Sequence, residues 1–296
     1  KITGGMSDEG GGVYFFAGRT NLSNVLITNN IATDRGGGVY YVNVNSTGSQ
    51  SRFNNVTISN NTSCQGGGVY IKDYSTSYVP PDIFTDVDII NNTVTDDLEN
   101  ECYNVYYDIG GGGIFFSNSD LIMIGGTISY NEVIINNPLQ FELPGITSGG
   151  GGLYLQYGSS PVLKGVTIIS NSASSGSAIY SRGQSYPLFQ NLTIAQNITT
   201  DVEYVVGGGV IFTRHRSMPI MINCILWNNS TPEISIDPAS FSYDYTGKIF
   251  IAYSNIKGGL EGIETDYYDF VEQADCFPCI GGDMCVSLQQ EEQCLQ

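Results

Sequence analysis

Three glycines followed by an aliphatic and an aromatic residue recur along this chain, and that recurrence limits what it can fold into. The phrase reads Gly10-Gly11-Gly12-Val13-Tyr14, Gly36-Gly37-Gly38-Val39-Tyr40 and Gly66-Gly67-Gly68-Val69-Tyr70. It returns as Gly111-Gly112-Gly113-Ile114-Phe115 and Gly150-Gly151-Gly152-Leu153-Tyr154. Two degenerate copies follow, Gly176-Ser177-Ala178-Ile179-Tyr180 and Gly207-Gly208-Gly209-Val210-Ile211. Each copy is trailed by a second phrase built like Asn55-Val56-Thr57-Ile58-Ser59-Asn60-Asn61. Self-similarity at a short fixed period is the signature of a repeat architecture, in which each unit buries its apolar face only by stacking on its neighbours.

The spacing between phrases gives the unit. From the last small residue of the first phrase (Gly12, Gly38, Gly68, Gly113, Gly152, Ala178, Gly209) to the final Asn of the second (Asn30, Asn61, Asn92, Asn131, Asn171, Asn197, Asn229) the chain runs 18 to 24 residues. The return interval is 7 to 21 residues, and the shortest full cycle is 26. Within the second phrase apolar residues alternate with period two. Val25 and Ile27, Val56 and Ile58, Val87 and Ile89, Val166 and Ile168, and Leu192 and Ile194 share one face, whereas Leu26, Thr57, Asp88, Thr127, Thr167, Thr193 and Ile225 share the other. That is a half-buried strand. Asn at the end of each strand tolerates the left-handed backbone of a sharp bend, and the glycines remove side chains where neighbouring units crowd. A cycle of about 26 residues with two or three short strands and no helical period describes one coil of a parallel β-helix, because a propeller blade needs about 40 residues or more. The expected fold is all-β: a parallel β-helix of eight to ten coils over residues 1–275, closed by a cysteine-rich tail over 276–296.

The glycine-aromatic phrase, with its Thr-Ile-Ser-x-Asn companion, resembles the right-handed parallel β-helix repeats of extracellular adhesin-like proteins. These include the chlamydial polymorphic outer-membrane proteins and many secreted pectate-lyase-like proteins. The segments Asn223-Cys224-Ile225-Leu226-Trp227-Asn228-Asn229 and Tyr253-Ser254-Asn255-Ile256-Lys257-Gly258-Gly259 resemble the last coils of such repeats. The resemblance covers about residues 5–262 and implies a right-handed, single-stranded solenoid. It says little about function, since this fold carries lyases, epimerases, adhesins and inert stalks alike.

Charge narrows the partners. Asp and Glu outnumber Lys and Arg by 29 to 11, for a net charge of −18, a field that repels nucleic acids and anionic membranes and leaves cations or neutral glycans as easier partners. The bland alternative is a soluble acidic surface. No apolar run approaches the roughly 20 residues of a transmembrane helix. No signal peptide is visible and the first residue is Lys1, so the expectation is a processed chain or part of a longer one. The first Gly-Gly-Gly arrives after only nine residues. No cap is evident before it, which raises the expectation of a further subunit or more chain stacking there.

Seven cysteines point to an oxidising, extracellular or cell-surface setting. Cys276, Cys279, Cys285 and Cys294 favour two tail disulfides over a zinc site, whose second pair would be badly spaced. Cys64 and Cys102 lie in the same inter-phrase segment of consecutive cycles, so stacking is expected to pair them. Cys224 occupies the inward column of Val56 and Val166 and reads as a small buried hydrophobe.

The chain presents no Ser-His-Asp order, nucleotide-binding glycine loop or metal-binding His pair. The glycine runs precede strands rather than helices. Its only histidine, His215, stands between Arg214 and Arg216 and reads as a surface-loop residue. Candidate ligand-binding residues gather in two 21-residue intervals of consecutive coils. They are Asp96, Asp97, Glu99, Glu101, Tyr103, Tyr106 and Tyr107 in one, and Phe141 and Glu142 in the other. Glu132, and Asp201 and Glu203 two coils on, leave from the same corner, and loops stacked on one corner are where solenoids usually carry recognition. No cofactor is expected; a structural calcium ion is compatible with the acids, although Asp96-Asp97-Leu98-Glu99-Asn100-Glu101 lacks the ordered ligand spacing of a calcium loop.

Two further features bear on contacts. Of the Asn-x-Ser/Thr sequons, Asn21, Asn45, Asn55 and Asn191 are the expected glycan acceptors, since an Asn packed into a ladder of bends cannot carry one. If the aliphatic of each first phrase points inward, then Tyr14, Tyr40, Tyr70, Phe115, Tyr154 and Tyr180 form an outward stripe. The stripe then awaits a glycan, a second subunit or the protein's own loops. The opposite parity buries it. The first expectation is a non-enzymatic extracellular structural or adhesive glycoprotein, a building block of a filament, sheath or stalk that associates with itself, with other extracellular proteins or with glycans. The alternatives are a polysaccharide lyase or epimerase, or a glycan-binding module, using the loops at 93–109 and 132–148.

Overall fold

The computed structural model describes residues 1–18, 20–44, 50–74, 80–97, 102, 108–136, 148–200, 208–237 and 247–264, with the backbone of 271–273. Its strands pair in parallel and stack into three long sheets, here called A, B and C, of fifteen, seven and nine strands. One coil shows the path: Val39–Asn43 lies in sheet C, Arg52–Ser59 in sheet A and Thr62–Ser63 in sheet B, before Val69–Asp73 returns to sheet C beside the first strand. Register follows the sequence repeat, with Val39 beside Val69, Ile114 beside Leu153 and Ile58 beside Ile89. This is the expected parallel β-helix.

Period-two alternation sets which side chains fill it. Val56, Ile58, Val87, Ile89, Val166, Ile168, Leu192 and Ile194 are fully buried in one continuous core, joined from sheet C by Val39, Val69, Ile114, Leu153 and Ile179. Burial of such side chains, at about 1.5–3 kcal/mol each, is the main force holding coil on coil. Cys224 is buried and unpaired within this core.

The three glycines of each phrase serve three different needs. Gly36 has φ +65°, a left-handed turn. A Cβ at Gly37 would lie 2.5 Å from the carbonyl oxygens of Gly67 and Thr62, because the next coil passes directly against it. A Cβ at Gly38 would lie 2.8 Å from Asn61 Nδ2. The third glycine therefore makes room for the asparagine of the second phrase, so the two halves of the repeat depend on one another.

That asparagine points inward. Asn30, Asn61, Asn92, Asn131, Asn171 and Asn197 are completely buried, and Asn229 nearly so. Each donates its side-chain amide to the next: Asn61 Nδ2 to Asn92 Oδ1 at 2.9 Å, Asn92 to Asn131 at 2.9 Å and Asn131 to Asn171 at 2.9 Å. The same Oδ1 also accepts the preceding coil's backbone N–H, as from Asn61 to Asn92 at 3.0 Å. The second amide hydrogen goes to a core-strand carbonyl, as from Asn131 to Ile89 at 2.9 Å. The ladder ends where Asn229 donates to Glu233 Oε2 at 2.6 Å. Buried amides are tolerated here because every one is satisfied. The left-handed residue is the one before each ladder member, including Asn29, Asn60, Asn91, Tyr130, Ser170, Gln196 and Asn228, with φ near +55°.

The aromatic stripe needs correcting. Its parity is outward: Tyr40, Tyr70, Phe115, Tyr154 and Tyr180 form a cluster separate from the core that holds their aliphatic neighbours. Of the six, however, only Tyr14 is exposed, at 49%; the other five are at most 4% exposed. They stack on one another, with ring centroids 4.6 Å apart for Phe115 and Tyr154 and 4.7 Å for Tyr154 and Tyr180. The chain itself lies over them: Cβ atoms at Gly110 and Gly149 would strike the rings of Tyr154 and Tyr180, and the Arg35 guanidinium sits 5.6 Å from the Tyr70 ring centre. The last repeat is also shifted by one residue from the sequence alignment. Ile211 pairs with Ile179 and Phe212 with Tyr180, so Phe212, buried, is the seventh aromatic and Val210 takes the place assigned to Gly209.

Cys64 and Cys102 are joined in a disulfide across consecutive coils, their Cα atoms 5.7 Å apart. The tail cysteines Cys276, Cys279, Cys285 and Cys294 lie outside the described residues.

Candidate functional site

The loops expected to carry recognition do begin and end side by side. Thr93–Thr95 pairs with Glu132–Ile134, and Ile109–Gly110 with Ser148–Gly149. Asp96 is not available to a ligand, however: it is buried and its Oδ1 accepts from the Asn136 backbone N–H at 2.8 Å and side-chain amide at 3.2 Å. It fastens one coil to the next. Asp97 is exposed. Glu99, Glu101, Tyr103, Tyr106, Tyr107, Phe141 and Glu142 lie outside the described residues, as do Asp201 and Glu203. Among the described residues no group of three or more His, Cys, Asp or Glu is placed to hold a metal ion.

A different corner carries a groove. Where the chain leaves sheet C for sheet A, Asp73 ends one strand, Asp82 begins the next, and Asp120 precedes the sheet A strand Leu121–Ile124 of the following coil. All three line a polar hollow with Tyr41, Asn43 and Asn118. Asp82 Oδ1 accepts from the Ser51 backbone N–H at 2.6 Å and from the Tyr41 hydroxyl at 3.4 Å. Burial, reinforced by the Asp73 charge against those hydrogen bonds, pushes the Asp82 carboxyl up to about 6. Asp120 accepts from the Ser160 N–H at 2.7 Å and is also raised, chiefly by burial. Asp73 accepts from Asn43 Nδ2 at 3.3 Å. Burial and the nearby Asp82 push the Tyr41 hydroxyl up to about 12.

The groove continues along the same corner. Gly158 lines both this hollow and a second one formed by Tyr157, Gly183, Gln184, His215 and Arg216. Tyr157 is 61% exposed there. Elsewhere in the coils left-handed corners are taken largely by Asn and Gly, but here Tyr157, Gln184, His215 and Arg216 all have φ between +51° and +63°. Such conformations cost longer side chains about 1–2 kcal/mol each. Burial, together with the charges of Arg214 and Arg182, lowers His215 to about 4, so its imidazole is neutral near pH 7. His215 is thus a surface-turn residue, as expected, half-buried and lining a hollow.

The sequence did hold a signal for this corner. The intervals carrying Tyr41 to Ser51 and Asp73 to Asp82 are the ones lengthened to 23 and 24 residues, against 18 to 20 elsewhere. Asp73, Asp82 and Asp120 come from different sequence contexts, and only the coil register brings them together. Of the expected glycan acceptors, Asn21, Asn55 and Asn191 are exposed and Asn45 lies outside the described residues. Asn55 donates to Asn24 Oδ1 at 2.7 Å, and Asn191 Oδ1 accepts from Asn223 at 2.7 Å.

A family model described as "Right handed beta helix region" matches residues 42–230 and 133–267. No curated protein and no solved structure matches the chain. No helix among the described residues is long and apolar enough to cross a membrane.

Proposed function

Because this chain belongs to the right-handed β-helix family, we propose that it is a non-enzymatic structural or adhesive glycoprotein, a β-helical rod outside the cell or on its surface. The observation supporting this reading is where the chain places its buried polar and aromatic residues. The seven asparagines and the aromatic stack run through coil after coil and serve coil–coil adhesion. A rod braced along its whole length resists local opening, which suits a stalk, sheath or filament subunit. The test is incubation of the purified protein with a panel of uronate and neutral polysaccharides. New reducing ends and the ultraviolet absorbance of unsaturated products are followed, with light scattering across concentration to read self-association. Absence of turnover together with concentration-dependent association is expected; sustained depolymerisation defeats the reading.

One observation favours a second reading, a polysaccharide-active enzyme. Asp82, raised to about 6 beside Asp73 and Asp120 in the corner groove, has the proton affinity of a general acid working near neutrality. On that reading Asp82→Asn abolishes any depolymerisation the panel reveals, and retention of activity excludes this carboxyl as the acid.

A further inference from the structure

The corner groove runs along the solenoid and, in its described residues, is unlike the repeat around it. Its two hollows meet at Gly158 and extend from the coil of Asp73 and Asp82 to that of His215. That is four coil steps, or about 19 Å at about 4.8 Å per step. The floor at Gly158 is bare backbone: a Cβ there would meet nothing closer than the Gln184 carbonyl oxygen at 4.0 Å. Tyr157 presents more than half of its surface beside that floor, and Tyr186, 47% exposed, lies on the next coil's passage through the same corner.

The lining offers an aromatic ring and planar polar groups, with a cation, Arg216, at the Tyr157 end. A pyranose ring offers an apolar face edged by hydroxyls. It is held by an aromatic ring against the face and by planar polar groups that exchange hydrogen bonds with the hydroxyls. Tyr157 supplies the ring. Gln184 supplies both a donor and an acceptor, and the neutral imidazole of His215 another of each. At the other end Asp73, Asp82, Asp120, Asn43 and Asn118 are predominantly acceptors, suited to hydroxyl donors. Those carboxylates, in a chain of net charge −18, oppose an anionic glycan.

We propose that this corner groove binds a neutral oligosaccharide, with one sugar ring stacked on Tyr157 over Gly158 and the chain running toward Asp120 and Asp82. The proposal gives the rod a ligand and does not depend on the rod reading: self-association and sugar binding are measured separately, and either can fail alone.

The experiment titrates cellotetraose, tetra-N-acetylchitotetraose and mannotetraose, with tetragalacturonate as the anionic arm, into the isotopically labelled protein and into Tyr157→Ala and Tyr157→Phe variants. At least one neutral tetrasaccharide is expected to shift the backbone amides of Gly158 and Gly183. Its affinity is expected to fall at least tenfold in Tyr157→Ala and to return in Tyr157→Phe, which keeps the ring. Circular dichroism establishes that the variants are folded; should Tyr157→Ala fail to fold, the location of the amide shifts in the unaltered protein carries the test. Tighter binding of tetragalacturonate than of every neutral sugar overturns the proposal. So does full affinity in a folded Tyr157→Ala variant, shifts confined to residues away from the groove, or no binding by any neutral tetrasaccharide at millimolar concentration.

Discussion

Arg182 Nη1 lies 2.6 Å from Asp108 Oδ1, a contact between residues 74 apart in sequence that reaches over the outer face of sheet C. The same guanidinium is 3.4 Å from the Tyr154 hydroxyl. One coil on, Arg214 repeats the device, contacting the Tyr180 hydroxyl at 3.4 Å and Asp237 at 3.0 Å. These arginines roof the aromatic stack and keep it from becoming a contact surface. Arg182→Ala is expected to lower stability by about 3 kcal/mol, because it removes an ionic partner of a mostly buried carboxylate and uncovers an aromatic ring. Urea unfolding reads the first effect, and nitration of Tyr154, protected in the unaltered protein, reads the second.

The asparagine ladder makes a sharper demand. Asn131→Ala strands the Asn92 N–H and one Asn92 side-chain amide hydrogen in the core, and takes a donor from the Ile89 carbonyl and from Asn171 Oδ1, which keeps the backbone N–H of residue 131. At about 1–3 kcal/mol for each unsatisfied buried group, the loss is expected to exceed about 3 kcal/mol. Substituting the exposed neighbour Tyr130 by Gly, which suits its φ of +55°, is expected to leave stability unchanged or raise it slightly. Thermal unfolding of the two variants, side by side, checks the contrast.

Reduction of Cys64–Cys102 opens a cross-link spanning 38 residues. The chain-entropy relation gives an upper value of about 4 kcal/mol for a loop of that length. The unreduced protein is expected to resist alkylation at both cysteines and to unfold at a higher urea concentration than the Cys64→Ser/Cys102→Ser variant. Ready alkylation of both thiols before reduction would contradict the pairing.

Asp82 makes stability depend on pH in a defined direction. Its folded value of about 6 lies above the ordinary 3.8, so the folded chain holds this proton more tightly than the unfolded chain does. Its contribution to stability is therefore fullest below 3.8 and declines as pH rises to about 6. The change is at most about 3 kcal/mol for a shift of roughly two units. Asp82→Asn keeps an oxygen for the Ser51 N–H and removes the charge. Its stability is expected to change less with pH across that window and to equal or exceed that of the unaltered protein at neutral pH. Denaturant midpoints measured at several pH values decide it.

Expressed through a eukaryotic secretory pathway, the protein is expected to carry glycans at Asn21, Asn55 and Asn191, which are exposed, and none at Asn61, Asn197 or Asn229, which are held in the ladder. Peptide mass spectrometry after enzymatic deglycosylation in oxygen-18 water marks each modified asparagine, which is converted to aspartate with one heavy oxygen. A glycan on a ladder residue would mean that the coil there is open.

Much of the architecture was legible in the residues because each rule involved is local. Alternation over Val56-Thr57-Ile58 selects a strand and its buried face, and Asn60-Asn61 marks the bend. The equal position of Cys64 and Cys102 in consecutive cycles anticipates their disulfide. The seventh repeat misled at one place: Gly207-Gly208-Gly209 looks like its predecessors, but hydrogen bonding to Ala178 and Ile179 falls on Val210, which moves the aromatic to Phe212.

The fate of groups whose surroundings come from other coils was set by the stacking and not by the repeat. Parity turns Tyr40, Tyr70, Phe115, Tyr154 and Tyr180 away from the main core, a choice the sequence left between two alternatives. Burial of those rings depends on glycine backbone and arginine side chains arriving from one to several coils away, which period-two reasoning does not see. The corner groove is of the same kind. Asp73, Asp82 and Asp120, with Tyr157, Gln184 and His215 beyond them, share no motif and span more than 140 residues of chain. The solenoid brings them together because stacking sets every coil's corner about 4.8 Å from the next. The sequence determined the repeat; the stacking determined which side chains come together along its corners.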